Sequence, residues 1–176
     1  MAPDNITDRE WALWRAFALM GRRLSSELDR GLLADAGISS AEFEILHALS
    51  LADGGEVRAR DLADMLSWEK SRLSHLVTRM VARRFLDRSQ CETDLRGTWV
   101  TLAPAGRAAL DAALPGFVAT LRTYFTSVVS DEDARTLTRT AIDVVEGIHA
   151  EACQTELGAI AEASGLSAAD AAPRAV

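Results

Sequence analysis

The chain has 176 residues, 48% of them hydrophobic, and a formal net charge of −7 at neutral pH. This length and hydrophobic content allow one domain with a core of its own. The sequence contains no apolar run of the roughly 18 residues that a membrane-spanning helix needs. Its N-terminus lacks the basic-then-apolar pattern of a secretion signal, so we expect a cytoplasmic protein.

The charge is unevenly distributed along the sequence. The segment from Arg58 to Arg107 contains ten Lys or Arg and six Asp or Glu, so it carries +4 and the rest of the chain carries −11. A basic segment on an acidic body is typical of a protein that presents one face to nucleic-acid phosphates while the remainder stays soluble.

Two capping boxes mark the starts of the first helices. Thr7 precedes Glu10, and Ser39 precedes Glu42; in such pairs each residue bonds to the other's backbone N–H and satisfies the first turn. A turn rich in glycine follows the second helix, and a short segment after it is expected to add a third strand to a hairpin further along the chain. The predicted helices cover residues 8–34, 41–51 and 59–66, with the short strand at 56–58.

A tight turn at residues 66–68 leads into a helix over residues 69–84, which completes a helix-turn-helix. One side of this helix is an apolar stripe at helical spacing, formed by Leu73, Leu76, Val77, Met80 and Val81. The other side carries cations, hydroxyls, an indole and an imidazole, which can contact base edges and phosphates. These candidate DNA-binding residues are Trp68, Ser71, Arg72, His75, Thr78 and Arg79. The alternative is an ordinary amphipathic helix with a solvated face.

Beyond this helix the spacing of apolar residues changes from the helical to the strand period. Residues 85–91 and 98–102 alternate around a loop that ends in glycine, which predicts a β-hairpin. Asp94 and Arg96 lie at the loop tip. An arginine on a hairpin beside a recognition helix can enter the DNA minor groove, so the order of elements is that of a winged helix-turn-helix.

The C-terminal part of the sequence is predicted to be helical. Pro104 stands where a helix begins, and this helix should run toward residue 128 with a kink or break at Pro115 and Gly116. Ser130 and the acidic residues 131–133 begin another helix, and residues 156–176 indicate a weak helix and a loose tail. The first and the last two long helices have more apolar surface than one winged-helix lobe can cover, so we expect them to interlock with a second copy. The alternative is a monomer whose long helices pack on one another.

Five runs of residues form one recognisable pattern: Asp61-Leu-Ala, Leu73-Ser-His-Leu-Val-Thr-Arg-Met80, Asp94-Leu-Arg96, Val100-Thr-Leu102 and Gly106-Arg107. With this pattern the sequence resembles, over roughly residues 11–147, the MarR family of bacterial transcription regulators. The resemblance implies a mainly α fold with a small β-hairpin wing, and a homodimer that binds near-palindromic double-stranded DNA. It also implies that Arg96 is the wing arginine and that Asp94 orients it. The expected single domain, residues 1–176, has dimerisation helices at 8–35 and 104–157, a winged helix-turn-helix lobe at 40–102 and a tail at 158–176.

The sequence departs from the family pattern at a few positions. Leu95 stands where members often carry a second basic wing residue, which should reduce wing affinity and its salt dependence. Arg84 and Phe85 stand where a glycine usually follows the recognition helix, so that helix is expected to end without a left-handed cap. Ala103 replaces a threonine cap. Trp99 alternates with Val100 and is expected to point away from the core.

The family resemblance also implies a pocket for aromatic or phenolic anions between the dimerisation helices and the DNA-binding lobe. The residues that could line such a pocket are Trp11, Trp14, Arg15, Phe17, Phe43 and His47. The alternative is that they form the core of the dimer.

Other functional classes find little support in the sequence. His47, His75 and His149 have no metal-ligand spacing, so we expect no metal and no cofactor. Cys91 and Cys153 leave open a redox-responsive regulator, although buried or incidental thiols are the expectation. No phosphate loop or nucleophile elbow indicates an enzyme. We therefore expect a sequence-specific DNA-binding regulator, a repressor that a small aromatic or phenolic ligand releases. A winged-helix protein-interaction module without DNA binding is the alternative.

Overall fold

The computed structural model describes residues 6–90, 97–148 and 154–165. Within these ranges the chain forms seven α-helices and three short strands, with single 3₁₀ turns at Asp53–Gly55 and Thr126–Val128. The elements are α1 (Asp8–Ala36), α2 (Ser40–Leu51), β1 (Glu56–Arg58), α3 (Ala59–Met65), α4 (Lys70–Ala82), β2 (Leu86–Gln90), β3 (Thr98–Leu102), α5 (Pro104–Tyr124), α6 (Asp131–Ile148) and α7 (Gln154–Ala163). The predicted mainly α fold with a small β-hairpin wing is confirmed.

Both capping boxes form as the sequence predicts. The Thr7 hydroxyl accepts from the Glu10 N–H, and a Glu10 carboxylate oxygen accepts from the Thr7 N–H at 2.7 Å. Ser39 and Glu42 make the same reciprocal pair at the start of α2. These bonds satisfy backbone donors that the first turn of a helix leaves without partners, so they fix where α1 and α2 begin.

The three strands form one antiparallel sheet in the order β1-β3-β2. Val57 lies opposite Val100, which confirms the predicted third strand, and Leu86 lies opposite Leu102. Val100 is fully buried. Trp99 is on the other face of β3 as expected, half-buried, with the Arg58 guanidinium 5.2 Å from its ring centre.

One hydrophobic core joins α2, α3, α4, the sheet and the first half of α5. The apolar stripe of α4 enters it, since Leu73, Leu76, Val77 and Met80 are buried and Val81 is half-buried. The largest fully buried side chains are Leu32, Ile38, Ile45, Leu46, Leu49, Leu62, Leu73, Met80, Leu86, Leu110, Val77 and Val100. The recognition helix is therefore anchored along its whole inner side.

Of the kink or break expected at Pro115 and Gly116, the break does not occur, because α5 is continuous through both residues. The missing N–H of a proline costs one intrahelical bond, but packing on both sides of this point holds the helix together. Phe117 stacks on Phe43 of α2 at 4.4 Å between ring centres. Gly116 lets the carboxylate of Asp35 on α1 lie against the helix where a Cβ would otherwise be.

A second glycine of α5 allows still closer packing. A Cβ on Gly106 would overlap the backbone carbonyl oxygen of Phe85 and come within 3.0 Å of the Leu46 and Leu102 side chains. That carbonyl also accepts a bond from the Ala103 N–H at 3.1 Å. As expected, Ala103 begins α5 without a side-chain cap.

The last described helix, α7, runs from Gln154 to Ala163, which overlaps the segment where the sequence indicates a weak helix, and its residue Leu157 is buried. Among the described residues, no helix combines the length and apolar character that crossing a membrane requires.

Candidate nucleic-acid interface

The outer face of α4 presents the predicted DNA-binding side chains to solvent. Ser71, Arg72, His75, Thr78 and Arg79 are all exposed, while the opposite side of the helix is buried in the core. Burial of the apolar stripe therefore fixes the rotation of α4 and leaves two guanidinium groups, two hydroxyls and an imidazole on one surface.

Trp68 differs from the other five candidates in its position. It lies in the turn before α4, is half-buried and packs against the core. The Arg72 guanidinium lies over its ring, 4.2 Å from the ring centre. This cation–π contact holds the Arg72 side chain in place near the start of α4, so the position of Trp68 favours supporting Arg72 over contacting DNA itself.

Glu44 of α2 adds a negative charge near this arginine. Desolvation raises the pKa of the Glu44 carboxyl, and the charge of Arg72 opposes that rise. The charge of Arg72 therefore acts on a carboxyl group of the neighbouring helix α2.

Thr78 has already used its hydroxyl proton. Its Oγ1 donates to the backbone carbonyl of Ser74 at 2.8 Å. Because a hydroxyl has one proton and two lone pairs, Thr78 offers DNA an acceptor and a methyl group but no donor in this rotamer. The sequence analysis allowed Thr78 to contact a phosphate or a base edge. A phosphate oxygen needs a donor, so in this rotamer only the base edge remains for its hydroxyl.

Three further cations surround a small cleft beside α4 and were not among the predicted site residues. The cleft has a volume of about 160 Å³. It is lined by Ala59, Arg60, Lys70, Leu73, Ser74, Val77 and Arg88. Arg60 also pairs with Asp61 at 3.5 Å, with both side chains exposed. Alternation along β2 puts Arg88 on the same face as the buried Leu86, which is the face toward the core under α4. This alternation was the sequence signal that could have placed Arg88 beside α4.

The tip of the wing lies outside the described residues, and with it the predicted Asp94, Arg96 and Cys91. Gln90 and Thr98 form the last described pair of the hairpin. Cys153 and His149 are also outside the described ranges. In the part of the chain that is described, no three His, Cys, Asp or Glu side chains are grouped so that they could hold a metal ion.

Both helices of the helix-turn-helix end in a residue with left-handed backbone conformation. At the end of α3 this residue is Ser67, with φ 52°, and at the end of α4 it is Arg84, with φ 61°. The Phe85 N–H donates to the Met80 carbonyl and the Arg84 N–H to the Val81 carbonyl, both at 2.9 Å, which is the bonding of a Schellman motif. The expectation that α4 ends without a left-handed cap is therefore wrong: the motif forms although glycine is absent.

Arg83, next to that cap, makes contacts far from it in sequence. One of its guanidinium nitrogens donates to the Glu42 carboxylate at 2.7 Å and the other to the Gly37 carbonyl at 2.8 Å. Burial acts to raise the pKa of Glu42, but hydrogen bonds from Ser39 and Arg83 and the charge of Arg83 outweigh it, so the pKa lies below its usual range. Glu42 is consequently ionised and paired at neutral pH although it is only 4% exposed.

The six predicted ligand-binding residues do not form one pocket within a single chain. Trp11, Trp14 and Arg15 line an open groove of about 700 Å³ whose other walls also belong to α1. Phe17 is exposed on the same helix but does not line the groove. Phe43 is buried in the core and stacks on the exposed His47 at 5.7 Å. The two groups remain separate because the N-terminal half of α1 contributes no buried residue to the core.

The fold and this surface define a winged helix-turn-helix protein with long flanking helices. A sequence model described as the MarR family matches residues 36–97. AbsC, a MarR family transcriptional regulator from Streptomyces coelicolor, is 31% identical with a TM-score of 0.80, over 85% of this chain and 100% of that chain. The chain therefore belongs to the MarR family of transcriptional regulators, whose members are not enzymes.

Other solved structures of this fold contain DNA or a small molecule. Sco3205, a MarR family transcriptional regulator from Streptomyces coelicolor, is 28% identical with a TM-score of 0.81, over 84% of this chain and 92% of that chain. Its structure is a complex with DNA. The organohalide-sensing regulator RdhR-CbdbA1625, in its 2,4-dichlorophenol-bound form, is 17% identical with a TM-score of 0.70, over 85% and 89% of the two chains. No curated protein matches the sequence.

Proposed function

We propose that this MarR-family regulator represses transcription in the cytoplasm as a homodimer that binds near-palindromic double-stranded DNA through α4. The supporting observation is the outer face of α4, where Arg72, Arg79 and three polar side chains are exposed while the inner face is buried. A helix of this kind enters the major groove with its exposed side chains against base edges. The DNA complex of Sco3205 supports the same use of the fold.

The residues have different proposed roles. Arg72, held by Trp68, reads a guanine edge or binds a phosphate. Arg79, about two helical turns farther along, has the same role. Ser71 donates to a phosphate or base and His75 contacts a base edge, whereas Thr78 accepts or contacts a thymine methyl. Outside the described residues, Arg96 with Asp94 would enter the flanking minor groove.

The proposed dimer is supported by apolar side chains that a single chain leaves uncovered. On α1, Leu13 is 72% exposed and Phe17 62%; on α6, Ile148 is 66% exposed. Apolar surface of this extent on two long helices is typical of an interface between copies. Analytical ultracentrifugation should give twice the 19.0 kDa chain mass; one species at the chain mass at micromolar concentration would contradict the dimer.

DNA binding is tested by footprinting the wild type on the intergenic DNA upstream of its own gene, across a salt series. Arg79→Ala and Arg96→Ala are measured in parallel, and Arg135→Ala, an exposed cation on α6, is the matched control. We expect a two-fold protected site, weakened by the first two changes and unaffected by the third. Each lost phosphate contact should reduce the slope of log affinity against log salt by about 1.

Two further results would complete or contradict the proposal. Deleting the gene should raise expression from the protected promoter if the protein is a repressor, and lower it if it is an activator. If neither the upstream DNA nor a genome-wide selection of bound fragments yields a site at low salt, DNA binding itself is refuted.

We also propose that a small aromatic anion releases the protein from DNA. The groove on α1 offers the indoles of Trp11 and Trp14 beside the cations Arg15 and Arg22, and a second copy would close its open side. Binding of 2,4-dichlorophenol by the regulator RdhR-CbdbA1625 supports this chemical class. A panel of phenols and aromatic carboxylates should include compounds that shift Trp fluorescence and release DNA, and Arg15→Ala should weaken both effects; release that persists unchanged in Arg15→Ala would place the ligand elsewhere.

A further inference from the structure

The end of the recognition helix is bonded to the end of α1 through Arg83. Its guanidinium spans two acceptors, the Glu42 carboxylate at 2.7 Å and the Gly37 backbone carbonyl at 2.8 Å, which lie 41 and 46 residues away in sequence. The same guanidinium lies 4.3 Å from the ring centre of Phe85. A planar guanidinium with several donors in a fixed arrangement can hold two such acceptors at once, whereas a lysine ammonium presents a single compact charge.

The acceptors of Arg83 belong to a larger set of polar contacts where α1 meets α2. The second carboxylate oxygen of Glu42 accepts from the backbone N–H and the hydroxyl of Ser39 at 2.9 and 3.1 Å. Asp29 of α1 accepts from the backbone N–H and hydroxyl of Ser40 at 2.8 and 2.9 Å. We call this set the junction cluster; its members are Asp29, Gly37, Ser39, Ser40, Glu42 and Arg83.

The junction cluster joins three elements with directional bonds. Apolar contacts between helices are non-directional and allow small shifts, whereas short bonds between charged groups fix both distance and angle. Because Glu42 is buried, its charge also requires a partner. Movement of α4 relative to α2 would therefore break the Arg83–Glu42 ion pair, and movement relative to the end of α1 would break the bond to the Gly37 carbonyl.

We propose that Arg83 is a positioning residue for operator recognition: through Glu42 and the Gly37 carbonyl it holds α4 at a fixed angle to α1. The inference rests on the proposed function, in which α1 dimerises and α4 enters the major groove. Two recognition helices related by a two-fold axis fit two DNA half-sites only when the half-sites are a particular distance apart. The junction cluster then sets the operator spacing that the dimer accepts, without Arg83 touching DNA.

Two variants and a control separate positioning from simple stability. The obvious change, Arg83→Ala, is unsuitable because it would leave the Glu42 carboxylate buried and unpaired, so a loss of folding would explain any result. Glu42→Gln combined with Arg83→Met removes the link while leaving no unpaired charge, a type of exchange that proteins often tolerate. Arg83→Lys keeps the charge beside Glu42 but loses the bridge to Gly37. Arg30→Ala is the matched control, since Arg30 pairs with Glu27 within α1 and joins no two elements.

The experiment measures affinity for the footprinted operator and for versions with one base pair inserted or removed between the half-sites. Each base pair turns one half-site by about a tenth of a helical turn. We expect the wild type and Arg30→Ala to lose about tenfold or more in affinity for each altered spacing. A loss of about tenfold is in the range of one mismatched base pair. The double variant should lose less than about threefold, with weaker binding to the natural spacing, and Arg83→Lys should lie between it and the wild type.

The salt dependence distinguishes positioning from direct contact. The slope of log affinity against log salt should be the same for the wild type and the Arg83 variants, while Arg79→Ala should reduce it by about 2, one lost phosphate contact in each half of the proposed dimer. An equal reduction in the Arg83 variants would make Arg83 a phosphate contact and overturn the inference.

The positioning inference would also be overturned if the double variant folds and keeps the spacing preference of the wild type. If circular dichroism shows that the double variant is unfolded, an unaltered spacing preference in Arg83→Lys would overturn the inference instead. Binding by the wild type with no effect of these variants refutes the inference alone. Absence of any wild-type binding refutes the proposed function together with it.

Discussion

Replacing Arg84 by glycine should stabilise the protein. Arg84 has a φ of 61°, a left-handed conformation that costs a residue with a Cβ roughly 1–2 kcal/mol. Glycine adopts it without that cost but has a more flexible unfolded chain, which costs about 0.5–1 kcal/mol. The first term is the larger, so Arg84→Gly should raise the free energy of unfolding by about 0.5–1 kcal/mol. For a chain of this length that is an increase in Tm of about 1–4 °C.

Thermal unfolding followed by far-ultraviolet circular dichroism, at one fixed protein concentration, measures the effect. Arg84→Ala removes the charge but keeps the Cβ, so it should give none of the gain. Ala82→Gly, in the last turn of α4 with ordinary helical geometry, should lower stability by about 0.5–1 kcal/mol. An unchanged or lower Tm for Arg84→Gly would refute the reasoning about backbone strain, and an equal gain in Arg84→Ala would assign the effect to charge.

Three further predictions concern packing, pH and recognition. Gly106→Ala should destabilise by about 1–3 kcal/mol because its Cβ would meet backbone, whereas Gly116→Ala should cost much less because the neighbouring carboxylate can rotate away; denaturant unfolding of both compares them, and equal losses would contradict this. Because the pKa of Glu42 is lowered in the folded protein, the stability that its ionised form contributes is present above the usual pKa of 4.5 and is lost as pH falls through the lower folded pKa. The free energy of unfolding of Glu42→Gln should therefore fall less than that of the wild type over this pH range. Identical acid-unfolding profiles would exclude the linkage. Trp68→Leu should weaken DNA binding about two- to fivefold, as a cation–π contact predicts, and by less in an Arg72→Ala background. Fluorescence anisotropy measures the affinity of each variant; equal effects in both backgrounds would show that Trp68 acts independently of Arg72.

The elements that periodicity and capping determine were predictable from the sequence. The stripe that begins at Leu73 fixed both the helix and its exposed face, and the two capping boxes placed the starts of α1 and α2. The strand period located β2 and β3. In each case the signal is local, because the residues that cause the structure lie within a few positions of one another.

The features that escaped prediction depend on residues distant in sequence. Pro115 remains helical because Phe117 packs on α2, a contact that no local pattern indicates. Arg84 takes the left-handed position because both ends of the Schellman motif are held by the core. Arg83 gave no signal of its bond to Glu42, 41 residues away. The predicted ligand residues were grouped by composition, whereas the position of α1 separates most of them from Phe43.

The uncovered face of α1 has a consequence for the supply of the regulator in the cell. Leu32 is the one buried residue of this 29-residue helix, so with the proposed dimer a newly made chain would expose apolar surface to proteases and chaperones until it meets a second copy. Pairing would be second order in chain concentration and degradation of single chains first order, so brief bursts of synthesis would be cleared and sustained synthesis would accumulate paired protein. The proposed dimer thereby makes occupancy of the operator depend on how long the gene has been active, independently of any ligand.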